Sequence, residues 1–246
     1  KRAAKAFEAL DDKEKPYFDP ERLANPYPDS RILNGDPDTE VTGLIAGIDM
    51  GEGEMLLADR LREKGRNVDL VVAHHPGAHA LAQLPDVMWI QPGIYAAAGV
   101  PIGQAEGVLE PRIREVADRV MPANHERGAD AARLLGLPLV CLHTPADNSV
   151  NTYLMKRFGE EAPATLGDVV ELLHAIPEYD LARKAQTGPA IVAGAKKSRA
   201  GKIFVEMTGG TEGAAAMYAK LARTGVSTVV GMHYSKEHLE AAKAEH

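Results

Sequence analysis

The 246-residue chain is poor in the residues that cross-link, stack or anchor. It has a single cysteine, Cys141, which excludes an intrachain disulfide framework and fits a reducing compartment. Within "LPLVCLH" that cysteine reads as a packed strand residue. Aromatic residues make up 5% of the chain, leaving few side chains for stacking on bases. The formal charge is −7 with a pI near 5.7, so there is no broad basic footprint and nucleic acid is not the expected partner. No apolar run is long enough to span a bilayer, and no signal peptide is evident. These absences point to a cytoplasmic protein acting on a small molecule, with no membrane partner.

What the chain does have is 45% hydrophobic residues, enough for one large domain or two lobes. Residues 1–40 are charged and punctuated by "KPYFDPERLANPYPDS", an N-terminal helix followed by an extended arm. "EVTGLIAGID", "GEGEMLLADRLREKG" and "VDLVVAHHP" then read as strand, amphipathic helix and strand, a βαβ unit with a parallel sheet. A long helical stretch follows, with a short strand at "LPLVCLH" and a helix from "DNSVNTYLMKRF". "PAIVAG" and "GKIFVEM" are expected strands, "GGTEGAAAMYAKLARTG" a turn and helix, "VSTVV" a strand and "SKEHLEAAKAEH" a helix. The expected fold is α/β, two-lobed, with mixed sheets flanked by helices. The first lobe is expected over 41–185 and the second over 186–246. The chain begins without methionine inside a helix and ends inside another, and the reading expects it to continue past His246.

Ligands of open α/β sheets gather at the carboxyl ends of strands. Asp49 stands at the first such end, His74 and His75 at the second, and His143 after "LPLVCLH". Asp147 follows His143 by four residues, and Glu237 follows His233 by the same interval. Imidazole and carboxylate together form a donor set for zinc, iron or manganese. Adjacent histidines on a strand point to opposite faces. Pro76 stops the strand, so both rings could turn toward one cleft and serve one metal each. Each feature also has a plain structural reading. A histidine at a strand end is commonly a hydrogen-bonding polar residue. In "HTPAD", Thr144 could be an N-cap, Pro145 the first helical residue and Asp147 the closing acid of a capping box; cap and ligand are compatible. Glu237 could be a first-turn acid favoured by the helix dipole. His79, His125, His174, His238 and His246 show no partner pattern and read as surface or local structural residues. "GGTEG" reads as a tight turn, with anion contact a weaker alternative. It lacks the lysine and glycine spacing of a nucleotide loop. Ser149, Ser198 and Ser227 carry no nucleophile-elbow motif.

Three stretches in order, "GIDMGEGEMLLADRLREKGRNVDLVVAHHP", "LHTPADNSVN" and "GGTEGAAAMYAKLARTGVSTVVG", resemble the dinuclear metal-centre family, the type 2 homologues of GTP cyclohydrolase I. The resemblance runs from about Val41 through most of the chain. It implies a two-lobed α/β fold, a toroidal homo-oligomer such as a hexamer, and two divalent metals in a cleft. The ligands it implies are His74, His75, His143 and Asp147, with Asp49 close to the pocket. The interval between His75 and His143 is longer than in the family, with an added helical segment around Leu109 to Gly136. "HYSKE" offers His233 as a further ligand or pocket residue and Glu237 as a proton shuttle. The leading expectation is a metal-dependent hydrolase of unknown substrate, cyclohydrolase-like by resemblance, with Asp147 and Glu237 as its catalytic groups. The alternative is a non-catalytic oligomeric metal-binding scaffold or regulator.

Overall fold

A computed structural model describes residues 2–245, and the side chain of Arg2 is outside that description. The reading of His246 as a surface residue therefore lies outside the described residues. In chain order the elements are α1 (Arg2–Glu8), β1 (Arg31–Asn34), β2 (Leu44–Gly47), α2 (Glu52–Glu63) and β3 (Leu70–Ala73). Next come α3 (Ala78–Ala82), α4 (Leu84–Val87), α5 (Gln91–Ala97), α6 (Ile102–Val120), α7 (Arg127–Leu135) and β4 (Leu139–Cys141). The remainder is α8 (Thr144–Glu161), α9 (Leu166–His174), α10 (Pro177–Lys184), β5 (Lys202–Glu206), α11 (Met217–Arg223), β6 (Val226–Gly231) and α12 (Lys236–Ala244). The fold is α/β, with mixed sheets flanked by helices.

The chain forms two compact units: Lys1–Trp89 with Ile113–Ala146, and Ile90–Arg112 with Asp147–His246. This interleaved division differs from consecutive lobes at 41–185 and 186–246. The physical reason is packing. Tyr95, on α5, stacks on Phe204 of β5 with ring centroids 5.5 Å apart. That contact draws an early segment into the later unit.

The first unit is built on a four-stranded sheet in the order β1-β4-β3-β2. The expected βαβ unit is present, since β2 and β3 pair in parallel from Leu44↔Leu70 to Gly47↔Ala73. Asp69 fixes the entry of both strands. Its carboxylate accepts from the Thr42 and Gly43 amides at 2.8 and 3.0 Å, and these backbone bonds hold its pKa below the ordinary value. β3 pairs in parallel with β4, and β1 adds antiparallel to β4 through Arg31↔Cys141 and Ile32↔Val140. The N-terminal arm thus contributes a strand to this sheet. Met55 and Ala58 of α2 and Ala132 of α7 bury against Val71, Leu137 and Leu139. Truncating a buried leucine of this kind to alanine costs about 2–5 kcal/mol. Gly136 ends α7 in the left-handed region at φ 63°, where a side chain would be strained. Leu137 N–H then returns to Ala132 O at 2.9 Å and turns the chain into β4.

The second unit holds the parallel pair β5-β6, in register from Ile203↔Thr228 to Glu206↔Gly231. Leu154 and Phe158 of α8 and Val169 and Leu173 of α9 pack with Val205, Met207 and Val230. Thr165 caps α9 in a reciprocal box with Asp168, and Ser235 caps α12. The expected strand at "PAIVAG" does not form: residues 189–194 are irregular. Pro189 has no ladder donor, and Gly194 takes a φ of 88°. No helix among the described residues is long and apolar enough to cross a membrane.

Candidate metal centre

β3 ends at Ala73, and the two residues after it keep contact with the strand before. His74 N–H donates to Gly47 O and His75 N–H to Ile48 O, both at 2.9 Å. The chain then breaks at Pro76, and Ala78 sits in the left-handed region at φ 47°. A non-glycine residue there stores local strain. The neighbouring strand β4 ends just before His143. Because β3 and β4 run parallel with Ala73 opposite Cys141, their ends deliver His74, His75 and His143 to one place. Donor nitrogens of the three lie within 4.8 Å of one another. The ring centroids are 5.3 Å apart for His74 and His75, 4.9 Å for His74 and His143, and 5.8 Å for His75 and His143.

Each ring is oriented through Nδ1. His74 Nδ1 lies 3.1 Å from Leu142 O, His75 Nδ1 2.7 Å from Asp49 Oδ1, and His143 Nδ1 2.9 Å from Asp29 Oδ2. Carbonyl and carboxylate oxygens only accept, so each Nδ1 carries the hydrogen and donates it. That tautomer makes Nε2 the lone-pair nitrogen of all three rings. An imidazole tied at one nitrogen to a carboxylate or carbonyl is the usual support for a metal ligand at the other. The cluster is one that could hold a metal ion.

The supports differ in burial. Asp29 is 0% exposed. Besides His143, its carboxylate accepts from Thr144 Oγ1 at 2.6 Å and from Ser30 Oγ at 3.3 Å. Ser30 Oγ in turn accepts the His143 amide at 2.8 Å. Asp49, by contrast, is exposed and meets only the His75 ring in this network. Cys141 lies buried on β4 as a packed strand residue, with burial pushing its thiol pKa up.

Asp29 is a support that the sequence reading missed. Its only local signal is an aspartate directly before a strand in the arm "PYPDSRIL". Thr144 is the first residue of α8 instead of the cap preceding it, and its hydroxyl donates to Asp29. Asp147 stands in the first turn of α8, 5% exposed, within the second unit. His233 follows β6 in that unit, with Nδ1 2.7 Å from Glu212 Oε2. Glu237 is an exposed first-turn residue of α12. The structure brings His74, His75 and His143 into one cluster and joins Asp49 to it through His75. Asp147, His233 and Glu237 belong to the second unit.

No family profile matches the chain, and no curated protein matches it by sequence. In fold it is similar to the crystal structure of a NIF3 superfamily protein from Sphaerobacter thermophilus, with a TM-score of 0.74 and 28% identity. The match covers 88% of this chain and 78% of the other. Most of the α/β architecture is therefore shared with a NIF3 superfamily protein.

Proposed function

We propose that the chain is a dinuclear divalent-metal protein and a metal-dependent hydrolase. The observation that carries this reading is the set of three histidines, each with its Nδ1 hydrogen committed to an oxygen. The donor chemistry fits zinc, iron or manganese. The likeness to a NIF3 superfamily protein supports it, since that superfamily and the type 2 GTP cyclohydrolase I homologues are the same family. On this reading His74 and His75 serve one metal each, and His143 and Asp147 complete the ligand set. His233 would be a pocket residue and Glu237 a proton carrier.

Bound divalent metals supply Lewis acidity toward an electrophilic carbon or phosphorus and toward water. The chain's own residues supply orientation. Asp29 holds the His143 ring in one tautomer, and Ser30 fixes the backbone beneath it. Asp49 does the same for His75 from the solvent side, where a substrate would have access. A toroidal homo-oligomer belongs to the same proposal.

The test is metal quantification on purified protein with and without His75→Ala, followed by a turnover screen on nucleotides, phosphoesters and cyclic amides. Bound metal that falls in the variant, together with turnover that falls with it, supports a metal-dependent hydrolase. Bound metal without turnover on any class would favour the non-catalytic scaffold. Equal metal content in wild type and His75→Ala would refute the ligand assignment. Light scattering on the same samples reads the oligomeric state.

A further inference from the structure

The sheet of the first unit has helices packed on one face. α2 and α7 lie on the side that carries Val71 of β3 and Leu139 of β4. Side chains alternate along a strand, so the pairing register sorts the others. Ile32 of β1, Val140 of β4, Val72 of β3 and Ala46 of β2 are paired neighbours in one row, and they point the opposite way. Leu44 and Leu70 form the next pair on that side. Beyond the strand ends the ladder runs on, with Leu142 N–H donating to Ala73 O and His74 N–H to Gly47 O, both at 2.9 Å. The same alternation then carries Leu142 and Ile48 onto this outer face.

That face is apolar and open. Ile32, Leu44, Ile48 and Leu142 are 46, 56, 61 and 47% exposed. Ala46 is exposed, and Leu70, Val72 and Val140 are half-buried. No lysine, arginine, aspartate or glutamate stands in these rows. The sequence of the strands does not match a wet face. A sheet with one solvated side alternates apolar with polar residues, whereas a parallel sheet buried on both sides reads as continuous apolar runs. "LIAGI" from Leu44, "LVVA" from Leu70 and "LVCL" from Leu139 are runs of the second kind. Their composition suits cover on both sides, and the described residues leave the outer side open.

We propose that this face is the contact surface between two copies of the chain, packed sheet against sheet. The area supports it. About half of each of four large aliphatic side chains, with the partly covered valines and leucine, leaves roughly 500 Å² of apolar surface, at the upper end for a patch that stays wet on a monomer. Two such faces together remove about 1,000 Å² from water, the threshold for specific association, before any polar rim is counted. The composition names the partner. A partner of different sequence is held in register by charged and hydrogen-bonding groups, and these rows offer none. An isologous pair needs a patch complementary to itself. A sheet face of one chemical character meets that need, with the two sheets stacking about 10 Å apart. The proposal names the surface that the homo-oligomer reading left open, and it does not depend on bound metal. Ile48 directly precedes Asp49 and Leu142 directly precedes His143, so the edge of the contact lies beside the three-histidine cluster.

The test is the mass of the purified protein, by sedimentation and light scattering across roughly 1–100 µM. Wild type should be a dimer or a larger multiple of two. Leu44→Lys combined with Ile32→Lys puts charge on the face away from the histidine end. It should cut the mass to half or less, with Kd at least about 100-fold weaker. Leu134→Lys, on α7 and 80% exposed, adds charge elsewhere and should leave the mass unchanged. If circular dichroism shows that the lysine double variant does not fold, Leu44→Thr with Ile32→Thr keeps strand-forming residues and should weaken assembly about 10-fold. Metal content is read separately, so this proposal and the metal reading fail independently. A wild type that stays monomeric at the highest concentration would overturn the proposal. So would an assembly unchanged in the folded Leu44 and Ile32 variants, or one lost equally in Leu134→Lys.

Discussion

The two units each gather titratable side chains beyond strand ends, and they dispose of the donor atoms in opposite ways. In the first, the anchors take up the hydrogens of His74, His75 and His143 at Nδ1 and turn the lone-pair nitrogens into a common cluster. In the second, Glu206 has both oxygens engaged by tyrosine hydroxyls, and His238 has both ring nitrogens engaged by Ser235 and Gly213. The first arrangement suits a divalent metal and the second a closed polar core. Residue type alone does not separate them. The hydrogen-bond partners do.

The hardest blow to this contrast is His143→Ala. It removes the buried member of the cluster, and metal affinity measured by competition with a chelator should fall at least about 100-fold while circular dichroism stays native. Asp29→Asn sharpens the contrast. An amide presents a donor where His143, Thr144 and Ser30 all donate, so affinity should fall about 10–100-fold. Denaturant unfolding should also show a loss of about 2 kcal/mol, since the carboxylate is fully buried. Tyr218→Phe tests the other unit. It should cost about 1–2 kcal/mol through the hydrogen bond lost at Glu206 and leave divalent-metal content unchanged. The smallest effect is expected for Asp49→Asn. This anchor is exposed and its pairing is screened, so stability should change by less than about 1 kcal/mol. Metal affinity should drop less than in Asp29→Asn, and an equal drop would erase the distinction between buried and exposed anchors.

Much of the first cluster was legible because its members sit at strand ends. "VVAHHP" and "LVCLH" are short apolar runs that stop on imidazole, and parallel pairing of β3 with β4 brings such ends together. Asp29 was not legible for the opposite reason. Its partner His143 is 114 residues away, and its own surroundings carry only the turn residues of an arm. "PAIVAG" misled because an apolar run satisfies strand propensity without supplying a neighbour to pair with; Val192 is exposed. Glu206 was passed over as one charge in "KIFVEM", although an acid inside a buried strand always demands partners. The interleaved units were hidden because linear order does not record that Tyr95 lies on Phe204.

The long span between Asp29 and His143 has a consequence for how the protein is made. During synthesis the arm, with its aspartate and the β1 segment, emerges early, yet the strand it must pair with ends at Cys141. Closing so long a loop is entropically slow. A nascent chain that has not reached His143 holds two of the three rings, and its Asp29 has no third ring to orient. On the metal-dependent reading proposed above, retention of metal would follow the pairing of β1 with β4, which makes the arm a late latch on the three-histidine cluster and ties the timing of metallation to a non-local step of folding in that unit.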